Sequence, residues 1–165
     1  MNWVDILVII VLVASFIGGL MQGAVRNLSS LIATLIGIPV AGLTYRWLSG
    51  LLSFLPGANW ENFLGFYITF GVIYAIIYLV LHPLRKLVGA AWSQGFLFRL
   101  FGGVFLMVSC MIGFVVLTLV VGAFPIFDWL ERWLSSSDVL ASLVRSFGFI
   151  RLMLPDVFRH ATTII

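Results

Sequence analysis

Apolar side chains fill four long blocks of this chain, and the short stretches between them hold most of its turns and charges. The first block is the purest. From Ile6 to Leu20, eleven residues are Ile, Leu, Val or Phe and none is charged. Each such residue near the centre of a bilayer favours insertion by roughly 0.3–0.6 kcal/mol, so the block as a whole is strongly driven into lipid. A helix needs about 20 apolar residues to cross a hydrocarbon core about 30 Å thick. These blocks predict membrane spans at about 3–21, 28–45, 63–81 and 100–124, with Pro39 kinking the second and Pro125 closing the fourth.

The connections differ in kind. Gln22–Asn27 is so short that the first two spans form a hairpin, with Asn27 placed to cap the second. The next connection, Arg46–Asn62, carries the turn signal Pro56-Gly57 among apolar residues such as Leu51, Phe54 and Leu55, which places it in the interface. His82–Arg99 carries Arg85, Lys86 and Arg99 without an acid. Trp3, Tyr45, Trp47, Trp60, Trp92, Trp129 and Trp133 all fall near predicted span ends, where amphipathic rings sit at the headgroup level.

After Pro125 the pattern changes. Asp128, Glu131, Arg132, Asp138, Arg145, Arg151, Asp156 and Arg159 appear within the last 40 or so residues. Ser135-Ser136-Ser137-Asp138 reads as a turn and helix cap. Leu140, Leu143, Val144, Phe147, Ile150 and Leu154 then recur at helical spacing. The tail, about 126–160, is expected to hold an amphipathic helix at about 138–153, lying in the membrane plane or against the spans. The expected fold is a single all-α membrane domain over 1–165: a bundle of four spans with this interfacial helix at its end.

Composition sharpens the picture. The chain is 62% hydrophobic and 9% charged, where a soluble domain averages about 45–50% and about 25%. No stretch is left for a soluble catalytic domain. The start, Met1-Asn2-Trp3-Val4-Asp5, lacks the basic residues of a cleavable signal, so the first block is expected to remain as a span. Net charge is +3, spread singly, which suits a membrane surface and argues against nucleic acid as a partner.

Candidate chemistry is sparse. His82 and His160 stand alone, and no His/Cys cluster has metal-ligand spacing. No nucleophile–base–acid set and no phosphate-binding glycine loop is present, so neither an enzyme nor a cofactor is expected. The single thiol, Cys110, lies mid-span with Met107 and Met111 as a lipid-facing or packing residue. Asp5 and Arg26 lie near span ends, where a carboxylate meets water and an arginine snorkels.

Small residues recur every fourth position: Ser15, Gly19 and Gly23; Ser29, Ala33, Gly37 and Ala41; Gly71 and Ala75; Ser109 and Gly113. Such faces let membrane helices approach closely. Of these, Ser15, Gly19, Gly23, Ala33, Gly37, Ala41, Ser109 and Gly113 are the helix-packing candidates, within one chain or in a homo-oligomer. The short first connection predicts that the Gly19/Gly23 face of span 1 meets the Ala33/Gly37/Ala41 face of span 2, within the subunit or across a subunit boundary.

The order of these features resembles the colicin V production protein family. The start Asn2-Trp3-Val4-Asp5-Ile6 is similar to that family's W-x-D opening. Gly19 to Leu31 resembles its glycine-to-glycine hairpin with an R-E-x-x-S-L continuation, and Arg99-Leu100-Phe101-Gly102-Gly103 its D-R-x-x-G approach to the last span. Trp133 followed by Ser135-Ser136-Ser137 is similar to the family's tail, and the resemblance covers about 2–155. It singles out Trp3, Asp5, Arg26, Ser30, Arg99 and Gly102. The chain departs from the pattern at Met21-Gln22, Asn27 and Phe98, where the family often has basic residues, an acid and an Asp.

The resemblance implies a small multi-pass protein of the bacterial inner membrane, associated with colicin V production or export and with envelope integrity. The expected role is that of a non-enzymatic accessory or scaffold whose partners are the lipid bilayer, further copies of itself, and export or envelope proteins. A small oligomeric channel or transporter is the alternative. It needs a polar lumen, and the spans offer little beyond Ser15, Ser29, Ser30, Thr34, Thr69, Ser109 and Thr118. Arg26, Arg85, Lys86 and Arg99 fall in the two acid-free loops, which predicts those loops to be cytoplasmic and both termini periplasmic.

Overall fold

A computed structural model of the chain describes residues 2–52, 58–91, 95–124 and 128–150. Six helices follow in order: α1 (Trp3–Gln22), α2 (Ala24–Leu51), α3 (Ala58–Ala91), α4 (Phe96–Ala123), α5 (Asp128–Ser135) and α6 (Asp138–Ser146). No strand occurs among the described residues. Trp3–Gln22, Ala24–Leu51, Asn59–Pro83 and Phe96–Ala123 are long and apolar enough to cross a membrane. This is a multi-pass, all-α membrane protein.

Local chemistry accounts for the helix ends. Asn2 caps α1: its side-chain oxygen accepts from the Trp3 N–H at 2.8 Å, and Asp5 Oδ2 accepts from the Asn2 N–H at 2.7 Å. This reciprocal box satisfies amides that a helix start leaves open. Between α1 and α2 stands one residue, Gly23, at φ +83° and ψ 162°. That backbone region is essentially closed to residues with a Cβ, so glycine alone makes the abrupt turn possible. At the other end of the chain, the Ser137 hydroxyl caps α6 by accepting from the Leu140 N–H at 3.2 Å.

The helices extend beyond the hydrophobic blocks. α2 starts four residues before the expected span and runs through Pro39 to Leu51. Asn27 therefore lies inside the helix and does not cap it. The cap position belongs to Gly23. α3 continues through Pro83 to Ala91, so much of the stretch expected to be the third loop is helical. At about 1.5 Å per residue, a 34-residue helix is about 51 Å long, well beyond the hydrocarbon core. Pro56-Gly57, Phe54, Leu55, Trp92 and Pro125 lie outside the described residues, as does the tail from residue 151, including Leu154 and His160.

Packing follows an order that chain sequence does not suggest. α1 lies along α4, α4 along α2, and α2 along α3, while α1 and α2 scarcely touch. The inner pair is thus α2 and α4, with α1 and α3 flanking. Val8, Leu12, Ile38, Ala41, Tyr45, Phe66, Ile112, Val115 and Leu119 join in one core. Tyr45, expected at an interface, is buried within it, its ring 6.4 Å from Phe66 and 6.0 Å from Phe124. Leu140, Leu143, Val144 and Ile150 belong to the same core, so the apolar stripe of the tail faces the ends of α1 and α4.

Candidate functional site

Two polar and glycine-rich nodes hold opposite ends of this arrangement together. The first is at the end where α1 begins and α5 and α6 lie. Asp5, on the first turn of α1, is fully buried. Its Oδ1 accepts from the Ser137 hydroxyl at 2.5 Å and from the Val139 N–H at 3.2 Å. Its Oδ2 accepts from Asn2, as above. One carboxylate therefore serves the starts of two helices, through a bond between residues 132 positions apart in sequence. A negative charge at a helix N-terminus is favourable, because the open N–H groups carry the positive end of the helix dipole. Asn2 adds a second tie, its side-chain NH2 donating to Ser136 Oγ at 2.8 Å. Above these bonds the Trp3 and Trp133 rings meet edge to face, with centroids 4.7 Å apart, and Trp129 meets Trp133 at 4.5 Å.

Asp5 thus does not face water as its position near a span end suggests. The tail folds over it. Spacing along one strand of sequence could not show this, because the residues that bury Asp5 lie at the far end of the chain.

The second node is at the opposite end, where α1, α2 and α4 cross. A Cβ placed on Gly19 would stand 2.5 Å from the Gly102 carbonyl oxygen and 2.7 Å from Gly103 Cα. One placed on Gly102 would stand 2.6 Å from the Gly19 oxygen and 2.7 Å from the Gly23 carbonyl carbon. Only hydrogen fits in these gaps, and the obstructing atoms are backbone. Asn27, buried to 1% exposure, donates both amide hydrogens across the crossing, to Gly19 O and Gly102 O at 3.0 Å each. Each of those carbonyls is thereby tied to a third helix. A buried amide is costly unless bonded, and here the chain spends it on three helices at once.

The Gly19/Gly23 face consequently packs on α4, not on the small face of α2. That α2 face turns to α3 instead: Gly37 lies against the Phe70 ring, and Ser30 shares a 2.8 Å hydrogen bond with the Tyr74 hydroxyl. Ala33 and Ala41 are fully buried and Ser15 half-buried. Ser109 is buried, its hydroxyl without a hydrogen-bond partner. Gly113 is exposed, and a Cβ there meets nothing within 4 Å among the described residues, so it packs against none of the described helices. Gly71 is also exposed with open space around it. Arg26 and Arg99 are exposed at the crossing end.

The positions where the chain departs from the resemblance gather at this second node. Asn27 spans the crossing, the Phe98 ring lies 3.3 Å from the Cβ position of Gly23, and Gln22 adjoins Gly23 in the chain. An uncharged amide and an aromatic ring occupy the space there.

The colicin V production protein profile matches residues 4–148. The chain belongs to the colicin V production protein family. No curated protein and no solved structure gave a match. The match extends from the first turn of α1 past the end of α6, so it takes in both nodes except for Asn2 and Trp3, which precede it. Among the described residues, no three His, Cys, Asp or Glu side chains come together as a metal site.

Proposed function

We propose that this colicin V production family member is an accessory or scaffold protein of the bacterial inner membrane, serving export and envelope maintenance without catalysing a reaction. The carrying observation is the use made of its polar side chains: Asp5, Asn27 and Ser30 each join one helix to another. Such bonds hold a fixed frame in lipid, where helices have no hydrophobic drive to associate and rely on close contact and polar ties. The frame then presents the outer faces of α1 and α3 to its surroundings, with Ile10, Ile17, Val72, Ile76 and Leu79 exposed. In the proposed orientation, the loops with Arg26, Arg85, Lys86 and Arg99 are cytoplasmic and both termini periplasmic.

Crosslinking in native membranes followed by mass spectrometry tests the role. Joined peptides between this chain and an export or envelope protein support it. A chain crosslinked to itself alone, with solute flux through vesicles holding the purified protein, overturns it in favour of a small oligomeric channel.

A further inference from the structure

The short helix α5 divides its surface in an unusual way. On a helix of about 3.6 residues per turn, Trp129, Trp133, Leu130 and Leu134 share one half, while Arg132 and Ser135 lie on the other. Leu134 packs on the core of the bundle. The two tryptophans are more exposed: Trp129 is 45% exposed and Trp133 41%. The apolar half of α5 is thus split between a bundle-facing edge and an open aromatic edge.

The depth of that open edge is set by α1. Trp3 is the first residue of a 20-residue helix long enough to cross a membrane. Twenty residues rise about 30 Å, the thickness of the hydrocarbon core, so Trp3 stands at its boundary. Trp3 is itself 49% exposed, and its ring touches Trp133, which touches Trp129. The three rings form one continuous patch. Two bonds fix this register without involving the rings: Ser137 to Asp5 and Asn2 to Ser136. An indole has an apolar body and one N–H donor, which suits it to the headgroup layer between lipid tails and water.

We propose that the Trp3–Trp133–Trp129 patch is a lipid-docking surface, seating α5 in the headgroup layer of the leaflet that meets the start of α1. α5 then lies as a strap between lipid and bundle, its polar half toward water. The tail is held by two contacts of different kinds: α6 by its apolar stripe on α1 and α4, and α5 by its aromatic edge in lipid. This surface does not depend on the scaffold role, since any protein built on this frame would seat its tail in the same way.

The test uses the full chain with fluorinated tryptophan at all six positions, in vesicles of phosphatidylethanolamine and phosphatidylglycerol. Single Trp→Phe variants assign the resonances. Wild-type protein is then measured with a lipid nitroxide near the headgroup, with one at the acyl-chain end, and with a water-soluble gadolinium chelate. The proposal expects the Trp3, Trp129 and Trp133 signals to be lost first to the headgroup-proximal nitroxide. Loss chiefly to the chelate places the patch in water and overturns it, and loss chiefly to the chain-end nitroxide places it too deep. Signals spared by all three probes mean that another protein or a second copy covers the rings, which also overturns it.

Discussion

The two ends of the molecule are held by opposite means. At the end where the chain starts, side chains reach out: a buried carboxylate, two serines, an asparagine and three indoles join α1 to the tail. At the crossing end, side chains are removed: Gly19 and Gly102 let backbones touch, and one amide, Asn27, ties the carbonyls that this closeness brings together. The first kind of joint depends on electrostatics and tolerates small shifts, since a hydrogen bond survives a few tenths of an ångström. The second depends on volume and tolerates none, since the groups in contact are backbone.

That difference predicts how each end breaks. The largest effect is expected at the crossing. Gly102→Leu drives a side chain into backbone on two helices, and its cost should reach about 3 kcal/mol or more, the upper part of the range for overpacking. Thermal melts in detergent should show a large loss of stability, while Gly113→Ala, which meets no atom within 4 Å, leaves the melt unchanged. Equal behaviour of the two variants would erase the distinction between packed and open glycines.

Next comes Asn27→Asp, close in shape but without the two N–H donors. An ionised carboxylate would face two carbonyl oxygens, which should cost about 2–3 kcal/mol. The melting temperature at neutral pH reads this loss, and a wild-type value would show that the amide does not tie the helices.

Asp5→Ala should do less to the whole and more to one part. It leaves the Ser137 hydroxyl and the Val139 N–H without their acceptor, a loss of about 1.5–3 kcal/mol for bonds to a charged group. Because α6 also packs through Leu140, Leu143 and Val144, the spans should persist. Hydrogen exchange should rise at the amides of Val139 and Leu140 while those of α2 and α4 stay protected. Uniform acceleration would mean that this joint supports the entire fold.

The smallest effect belongs to Tyr74→Phe, which removes the Ser30 bond between α2 and α3 and keeps the ring. Interhelical hydrogen bonds in lipid average about 0.6 kcal/mol, so the melt should fall only slightly.

The same contrast explains how much could be read from the residues in order. The cap at Ser137 was legible, because a serine run before a periodic apolar stretch is a local signal with a local consequence. Asn27 was misleading for the same reason: an asparagine before an apolar block looks like a cap, yet Gly23 alone makes the turn and the helix begins four residues earlier. The small residues were visible as a class, but spans 1, 2, 3 and 4 all carry them, so their spacing did not say which faces meet. Asp5 was visible as an ionisable residue at a span end, while its burial depended on Ser137 and Val139 far along the chain.

Sequence by itself determined that this chain lives in a membrane, that it crosses as four helices, and that a serine cap starts α6. Those properties come from hydropathy and backbone chemistry, which act over one helix length. Tertiary structure decided that α1 pairs with α4 and not with its neighbour α2, that Gly113 stays open while Gly102 is closed, and that the first turn of the chain holds its tail. Lipid tails are as apolar as the helices they surround, so hydropathy carries no preference for one partner over another. That choice rests on shape and on a few polar bonds between distant residues, and it exists only once the helices are packed.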